Sequence, residues 1–378
     1  MKPLSLYLHI PFCVRKCQYC DFLSFPGTEK QIEDYLETLL CEIIMQAPFY
    51  KDYEVQTIFF GGGTPSLLDG QMMKKIMGCL YANFHISEYA EISMEMNPGT
   101  ADYANLCVYK EAGINRLSIG LQSAHDDQLK VLGRIHTYEQ FISTYEAACK
   151  AGFQNINVDL MSALPGQTWE SYLCSLKKVL ALKPRPTHIS AYSLIVEEGT
   201  PFYDMELQGE LNLPTEEEER RMYEGTLEVL KEHGYQRYEI SNYALDGYAC
   251  RHNMVYWRRG DYLGLGLGAA SLVSNIRWAN ERDRILYKER IKKGQQVEEK
   301  EILSIKEQME EFMFLGLRLV QGVKKEDFLR CFGVTMEQVY GKVIKKHVQN
   351  GLLLEDESVY LTAKGLDVSN YVMADFLL

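Results

Sequence analysis

Two patterns of hydrophobic and polar residues alternate along the chain from residue 4 to about residue 195. Short runs rich in β-branched and aromatic residues are each followed by a longer run in which apolar residues recur with helical spacing. We expect strands at 4–10, 55–63, 91–98, 115–123, 153–161 and 187–194, and helices at 29–47, 69–84, 101–112, 138–151 and 169–182. Repeated strand–helix units predict a parallel sheet, either doubly wound or closed into a barrel. No GxGxxG follows the first strand, so the signature of a dinucleotide-binding sheet is missing.

The predicted strands alternate between polar and apolar residues, whereas parallel strands covered on both faces usually read as continuous apolar runs. The polar positions of three strands are Glu91, Ser93, Glu95 and Asn97; Arg116, Ser118, Gly120 and Gln122; and Asn155, Asn157 and Asp159. A period of two places each set on one face of its strand. If the apolar face packs against the helices, the polar face lines a lumen. The pattern therefore favours a barrel with a ligand site at the C-terminal strand ends.

A chain of 378 residues is longer than one compact core usually holds. After residue 195 the regular alternation of strand and helix patterns ends. A helix is expected over 213–235, starting at a Thr215 cap. Residues 236–300 read as mixed. From 301 we expect helices at 304–319, 324–331 and 335–350, a strand pair within 351–362 and a last helix from 363. We therefore predict an α/β barrel unit at 1–235, a mixed extension at 236–300 and a small winged-helix-like unit at 301–378.

Composition limits the class of function. Forty basic residues against 52 acidic ones give a net charge of −12, which argues against a nucleic-acid interface. We accordingly interpret the C-terminal unit as a packing or docking module. No apolar run is long enough for a signal peptide or a membrane span, so we expect a cytoplasmic protein, with transient membrane contact through a partner left open. The ten cysteines are then expected to be thiols.

Three of these cysteines cluster in the stretch PFCVRKCQYCDF, as Cys13, Cys17 and Cys20. A structural zinc site needs four ligands, and only His9 on the first strand is offered as the fourth. A thioredoxin-type redox pair needs two cysteines and would open a helix. Three thiolates in one loop suit a [4Fe–4S] cluster with one open iron. The spacing favours the cluster and leaves zinc open.

The three cysteines, with Tyr19 just before the last, resemble the signature of the radical S-adenosylmethionine superfamily. The resemblance implies a partial (β/α)6 TIM-like barrel with a [4Fe–4S] loop at 11–24. It also implies that S-adenosylmethionine chelates the open iron. In the family, one electron from the cluster then cleaves S-adenosylmethionine to methionine and a 5′-deoxyadenosyl radical.

The resemblance extends to further positions. The stretch FFGGGTPS lacks the lysine of a phosphate-binding loop and, taken alone, fits a tight strand-to-helix turn. In the family the matching GGG-T-P motif contacts the amino group of S-adenosylmethionine. The resemblance therefore implies that Gly62, Gly63 and Thr64 make this contact here. The family residues that hold the carboxylate, ribose and adenine of S-adenosylmethionine match Tyr7, Glu95, Gln122, Arg134 and Asp159. The alternative for each is a structural hydrogen bond inside the barrel.

Within the superfamily the chain resembles the branch of the oxygen-independent coproporphyrinogen III oxidase. That oxidase carries a further cysteine where this chain has Phe22, and it has a longer N-terminal arm. The HNxxYW motif, formed by His252, Asn253, Tyr256 and Trp257, instead resembles the heme-chaperone members of the branch. This resemblance implies heme as a ligand, with His252 as the candidate for iron unless it braces the domain junction.

Two functions of different class follow. The first is a heme-binding chaperone, a monomer or weak homodimer, that delivers heme to acceptor proteins, respiratory ones among them. The second is an enzyme that oxidatively decarboxylates coproporphyrinogen III to protoporphyrinogen IX. Phe22 favours the first, so whether the chain is an enzyme is left open. A zinc-stabilised barrel without radical chemistry is a third interpretation.

Overall fold

The computed structural model describes residues 1–295, 297 and 299–378. Its strands are β1 Lys2–Ile10, β2 Tyr53–Gly62, β3 Ile86–Met96, β4 Arg116–Gln122, β5 Asn155–Ser162, β6 His188–Ser193, β7 Gln236–Arg237, β8 Asn242–Ala244, β9 Tyr262–Leu265, β10 Ala270–Val273, β11 Ile276–Ala279, β12 Glu301–Ile302, β13 Val323–Lys324, β14 Leu353–Glu355 and β15 Ser358–Leu361. Its α-helices are α1 Glu29–Gln46, α2 Gly70–Asn83, α3 Tyr103–Glu111, α4 Asp126–Val131, α5 Tyr138–Lys150, α6 Trp169–Leu180, α7 Pro201–Leu207, α8 Glu216–Glu232, α9 Arg251–Trp257, α10 Arg284–Lys292, α11 Ile305–Gly316, α12 Lys325–Phe332, α13 Met336–Gln349, α14 Ala363–Asp367 and α15 Ser369–Ala374.

Strands β1 to β6 are parallel and lie side by side in chain order, as the repeated strand–helix units predict. Helices α1, α2, α3, α5 and α6 each join consecutive strands of this series. The series does not close on itself, because β1 pairs next with β9 and β6 pairs next with β8. The fold is therefore an α/β barrel of six parallel strands that stays open between its first and last strand.

The two faces of these strands differ as the alternation indicates. Along β1 the apolar residues Leu4, Leu6, Leu8 and Ile10 are buried in the main core, where the surrounding helices pack. Neighbouring strands place their apolar residues in the same core. Polar residues at the intervening positions point the other way and line a central cavity. Burial of the apolar face supplies the driving force for the fold, and the polar face is left to form the lumen.

The segment predicted as a mixed extension supplies both edges of the barrel sheet. Strand β8 runs antiparallel to β6, and β7 pairs beyond it. At the other edge β9 runs parallel to β1, followed by the antiparallel strands β10, β11 and β12. These strands are only two to four residues long, which is too short for a period to show in the sequence.

The C-terminal segment has a core of its own, built from α11 to α15 around the three-stranded sheet β13–β15–β14. The strand pair expected within 351–362 is the hairpin β14–β15. Contact with the barrel includes a buried ion pair, in which Arg259 Nε lies 2.9 Å from Glu311 Oε2. Within the described residues, no helix has the length and apolar character to cross a membrane.

Glu42 on α1 ties the added edge to the barrel. Its buried carboxylate accepts hydrogen bonds from Gly266 N–H and the Tyr287 hydroxyl, each at 2.7 Å, and from Asn280 Nδ2 at 2.6 Å. These donors belong to the β9–β10 turn, the start of α10 and the segment between them. One carboxylate thus satisfies three buried donors from a part of the chain more than 200 residues away.

We predict that Glu42→Ala lowers the free energy of unfolding by about 2–4 kcal/mol, because it leaves three buried donors without an acceptor. Urea unfolding followed by circular dichroism measures this change. The matched control is Glu37→Ala on the exposed face of the same helix, which should stay within about 0.5 kcal/mol of the parent. Equal losses for the two variants would contradict the assigned role.

Candidate functional site

The three clustered cysteines lie in a loop that follows β1 at the C-terminal end of the barrel strands. Cys13 N–H donates to the Phe25 carbonyl at 3.1 Å, and Phe25 N–H donates back to the Pro11 carbonyl at 2.9 Å. Gln18 N–H donates to Leu132 O at 3.0 Å, which fixes the middle of the loop to the segment after α4. All three cysteines are half-buried free thiols. The backbone therefore holds the loop, and the thiols are left for another use.

Two of the thiols receive hydrogen bonds from other elements. Thr64 Oγ1 donates to Cys13 Sγ at 3.4 Å, and Arg134 donates from a terminal guanidinium nitrogen to Cys17 Sγ at 3.7 Å. Both donors approach sulfur atoms that lie at the cavity wall. Hydrogen bonds of this kind orient the ligands of metal centres and tune them. The donor set thus fits an iron–sulfur cluster held by three cysteines.

His9 is not free to act as a fourth zinc ligand. Its Nε2–H donates to the Leu23 carbonyl at 2.8 Å, and its Nδ1 lies 3.0 Å from the Tyr7 hydroxyl. Burial lowers its pKa, so the ring is neutral and both nitrogens are engaged. Across residues 1–295, 297 and 299–378, no three His, Cys, Asp or Glu side chains are placed to share a single metal ion.

Glycines at the end of β2 let it approach the cysteine loop. A Cβ at Gly63 would lie 2.5 Å from the Phe12 carbonyl oxygen, and one at Gly62 would lie 2.4 Å from the His9 ring. Gly62 also has φ +106°, in the region that favours glycine. Gly63 N–H donates to Ile10 O at 2.8 Å, and this hydrogen bond holds the segment after β2 against the end of β1. The glycine run thus forms a close-packed floor beside the thiols.

A cavity of about 440 Å³ opens between this loop and the barrel strands. The structure brings nearly all the predicted site residues to its wall: Tyr7, Cys13, Cys17, Tyr19, Cys20, Gly62, Gly63, Glu95, Gln122, Arg134, Asp159 and His252. Thr64 is buried behind the wall, where its hydroxyl accepts from Asn97 Nδ2 at 2.9 Å. Tyr19 also packs on a small apolar cluster that contains Leu132 and Phe202.

Two half-buried carboxyl groups shape the electrostatics of the cavity. Burial, with the charge of Asp159 nearby, raises the pKa of Glu95 to about 8, although Gly62 N–H donates to it at 3.2 Å. Burial also raises the pKa of Asp159, which accepts hydrogen bonds from Asn157 Nδ2 at 2.7 Å and the Ser118 hydroxyl at 3.1 Å. A ligand that brings an ammonium group or hydroxyl donors would stabilise the ionised carboxylates.

Asn97, a polar-face residue directly after β3, lines the cavity although no role in ligand binding is expected for it from the sequence. Its Oδ1 accepts from the Arg134 guanidinium at 2.7 Å. The same guanidinium nitrogen donates to the Gly120 carbonyl at 2.7 Å, and a Cβ at Gly120 would lie 3.1 Å from it. Asn97 and the Gly120 carbonyl thereby position Arg134 between the cavity and the thiol of Cys17. The lack of a side chain at position 120 leaves room for the guanidinium. The signal available in the sequence was the period-two pattern.

His252 lies on α9 and faces the lumen from a buried position. Its Nδ1 lies 2.7 Å from Thr57 Oγ1, its Nε2 lies 3.0 Å from the Tyr256 hydroxyl, and its ring stacks on Phe59. Because Thr57 Oγ1 donates onward to Ser5, Nδ1 carries the proton and Nε2 is the acceptor. Burial and the charge of Arg116 lower the pKa of His252 to about 3, so the ring is neutral.

Comparisons with known proteins agree with this architecture. The sequence profile of the radical SAM superfamily matches residues 7–177, and that of the HemN C-terminal domain matches residues 303–368. The heme chaperone HemW of Lactococcus lactis is 37% identical, with 100% of this chain and 98% of that protein covered. The heme chaperone HemW of Bacillus subtilis is 38% identical, with 99% of each covered.

Among solved structures, the coproporphyrinogen III oxidase HemN of Escherichia coli, described as a radical SAM enzyme, superposes with a TM-score of 0.86. It is 24% identical and covers 100% of this chain and 90% of its own, which shows a shared fold. The barrel, the three-cysteine loop and the glycine floor define a radical SAM protein, a class that implies a [4Fe–4S] cluster and S-adenosylmethionine. Within that superfamily the chain belongs to the HemW family of the HemN-like branch.

We predict that Glu95 makes the cofactor-free protein less stable as the pH rises. Between pH 4.5 and about 8 the folded chain keeps a proton on Glu95 that the unfolded chain has lost, so the free energy of unfolding falls across this window. In Glu95→Gln the fall between pH 5 and pH 8, measured by urea unfolding, should be smaller by about 1–3 kcal/mol.

Glu88→Gln, at an exposed position of the same strand, is the matched control and should keep the parent's pH dependence. A Glu95→Gln variant whose stability falls as steeply as the parent's would show that Glu95 is ionised throughout the range.

Proposed function

We propose that this protein is a heme-binding chaperone that passes heme to acceptor proteins from a barrel carrying a [4Fe–4S] cluster and S-adenosylmethionine. The observation that carries the proposal is the shared cavity: its wall contains the three cysteines and also His252, Asn253 and Tyr256 of α9. A molecule bound at the cysteine loop and one bound at α9 would therefore face the same space. The heme chaperones at 37% and 38% identity support the same assignment.

The residues of this cavity fit the implied cofactors. Cys13, Cys17 and Cys20 would hold the cluster, and Gly62, Gly63 and Thr64 would meet the amino group of S-adenosylmethionine. Its carboxylate, ribose and adenine would be held by Tyr7, Glu95, Gln122, Arg134 and Asp159. Once bound, the cluster supplies one-electron reduction. The protein's own contribution is to position the ligand with buried hydrogen-bonding groups and to shield it from water.

Heme needs a ligand for its iron and an apolar surface for its ring. The neutral His252 offers Nε2, provided that the Tyr256 hydroxyl moves away from it. Phe22, which is 60% exposed, and Tyr192 add aromatic surface to the cavity wall. Phe22 also stands where the porphyrinogen oxidase has a cysteine, which favours heme binding over porphyrinogen oxidation. Respiratory acceptors, a cytoplasmic location and a monomeric or weakly dimeric state remain predictions.

Anaerobic reconstitution with iron and sulfide should load about four irons and four sulfides per chain. We predict that Cys13→Ser, Cys17→Ser and Cys20→Ser each lose most of this iron and sulfide, because each removes one of three thiolate ligands. Cys41→Ser on the exposed face of α1 is the matched control and should load fully. Bound zinc without sulfide in the parent protein would contradict the cluster.

Heme titration followed at the Soret band tests the proposed ligand. We predict that His252→Ala binds heme about 10-fold or more weakly and with a shifted band, as expected when an iron ligand is lost. Tyr256→Phe removes the hydroxyl from Nε2 and should bind heme at least as tightly as the parent. His85→Ala at an exposed position is the control. An unchanged spectrum and affinity in His252→Ala would exclude it as the ligand.

A further inference from the structure

Arg116, the first residue of β4, is a buried cation without a protein partner. Its side chain is 2% exposed and is among the largest fully buried side chains of the described residues. It lines the same cavity as the cysteines. Within the part of the chain that the structure describes, its Nε has no hydrogen-bond partner and no carboxylate forms an ion pair with it. A buried charge in this state is costly unless something else neutralises it.

The nearest carboxylates are occupied elsewhere. Glu91 accepts from the backbone N–H groups of Arg251 and His252, each at 3.1 Å. Asp159 accepts from Ser118 and Asn157. Both carboxylates influence Arg116 through their charge alone. The guanidinium therefore lines the lumen with its Nε donor left without a partner among the described residues.

The position of Arg116 separates it from the cysteine loop. It is paired in register with Ser93 of β3 and with Asn155, the first residue of β5. Gln122, at the other end of β4, lies six residues further on, a rise of about 20 Å along the strand. Two carboxyl groups that match S-adenosylmethionine contacts lie further toward the cysteine end, Glu95 opposite Ser118 and Asp159 opposite Gly120. Arg116 is thus left for a second molecule in the lumen.

We propose that Arg116 binds a carboxylate of this second molecule, and specifically a propionate of a tetrapyrrole, an inference that rests on the proposed function. A guanidinium presents paired donors that match the two oxygens of a carboxylate. One carboxylate balances one guanidinium, whereas a doubly charged phosphate would leave one negative charge uncompensated inside the lumen. The propionates of heme provide a carboxylate at the edge of a flat apolar ring.

The test compares hemin with its dimethyl ester, in which both propionates are blocked, by Soret titration of the parent, Arg116→Gln and Arg116→Lys. Arg277→Gln, which makes the same change at a partly exposed ion pair outside the cavity, is the matched control. Calorimetric binding of S-adenosylmethionine to the cluster-loaded proteins forms the second arm. Thermal unfolding of each ligand-free protein reports whether the side chain is needed for folding.

We expect Arg116→Gln to bind hemin about 10- to 100-fold more weakly than the parent, with Arg116→Lys between the two. The dimethyl ester should bind the parent and Arg116→Gln equally, S-adenosylmethionine binding should be unchanged, and the melting temperature should not fall. Equal hemin affinity in the parent and Arg116→Gln would overturn this assignment alone. So would a loss confined to S-adenosylmethionine, whose own carboxylate would then be the partner. No hemin binding by the parent would overturn the proposed function itself.

Discussion

Six parallel strands turn polar side chains toward a common interior, and buried polar groups need hydrogen-bond partners. Many of the polar groups in this interior form hydrogen bonds with one another. Glu91 is met by the first N–H groups of α9, and Asn157 connects Ser118, Asp159 and His188. We infer that a ligand belongs beside Arg116, whose Nε has no partner among the described residues, and beside the Glu95 carboxyl, which accepts from Gly62 N–H. The chemistry of the lumen follows from this division between satisfied and unsatisfied groups.

The same constraint explains how the cysteine loop is positioned. Apolar contacts of Phe12 and Tyr19 anchor the loop, and close backbone contact and directed hydrogen bonds position it beside the lumen. The absence of side chains at Gly62 and Gly63 permits the contact, and Arg134 joins the loop to β4 through Cys17 and the Gly120 carbonyl. Segment 236–300 extends the sheet at both edges and brings α9 to the lumen. Two distant parts of the chain thereby meet in one cavity.

Much of this arrangement could be predicted from the sequence because long strands carry a clear period. The six barrel strands, their polar faces and the meeting of Glu95, Gln122 and Asp159 at one cavity followed from alternation alone. Strands β7 to β12 were missed because two to four residues show no period. Arg116 and Asn97 were recognised as polar-face residues, yet their roles depend on which neighbours are already hydrogen-bonded. The engagement of both nitrogens of His9 and of His252 was likewise a matter of tertiary contacts.

We propose that this radical SAM scaffold binds heme for delivery, with porphyrinogen oxidation as the alternative. The most direct measurement supplies the reduced, cluster-loaded protein and S-adenosylmethionine with coproporphyrinogen III in one anaerobic reaction and with hemin in another. Products of the first are separated by chromatography after oxidation to porphyrins, and heme retained by the protein is counted in the second. The account predicts about one heme per chain and no protoporphyrin. Conversion of coproporphyrinogen III to protoporphyrinogen IX without retention of heme would contradict it.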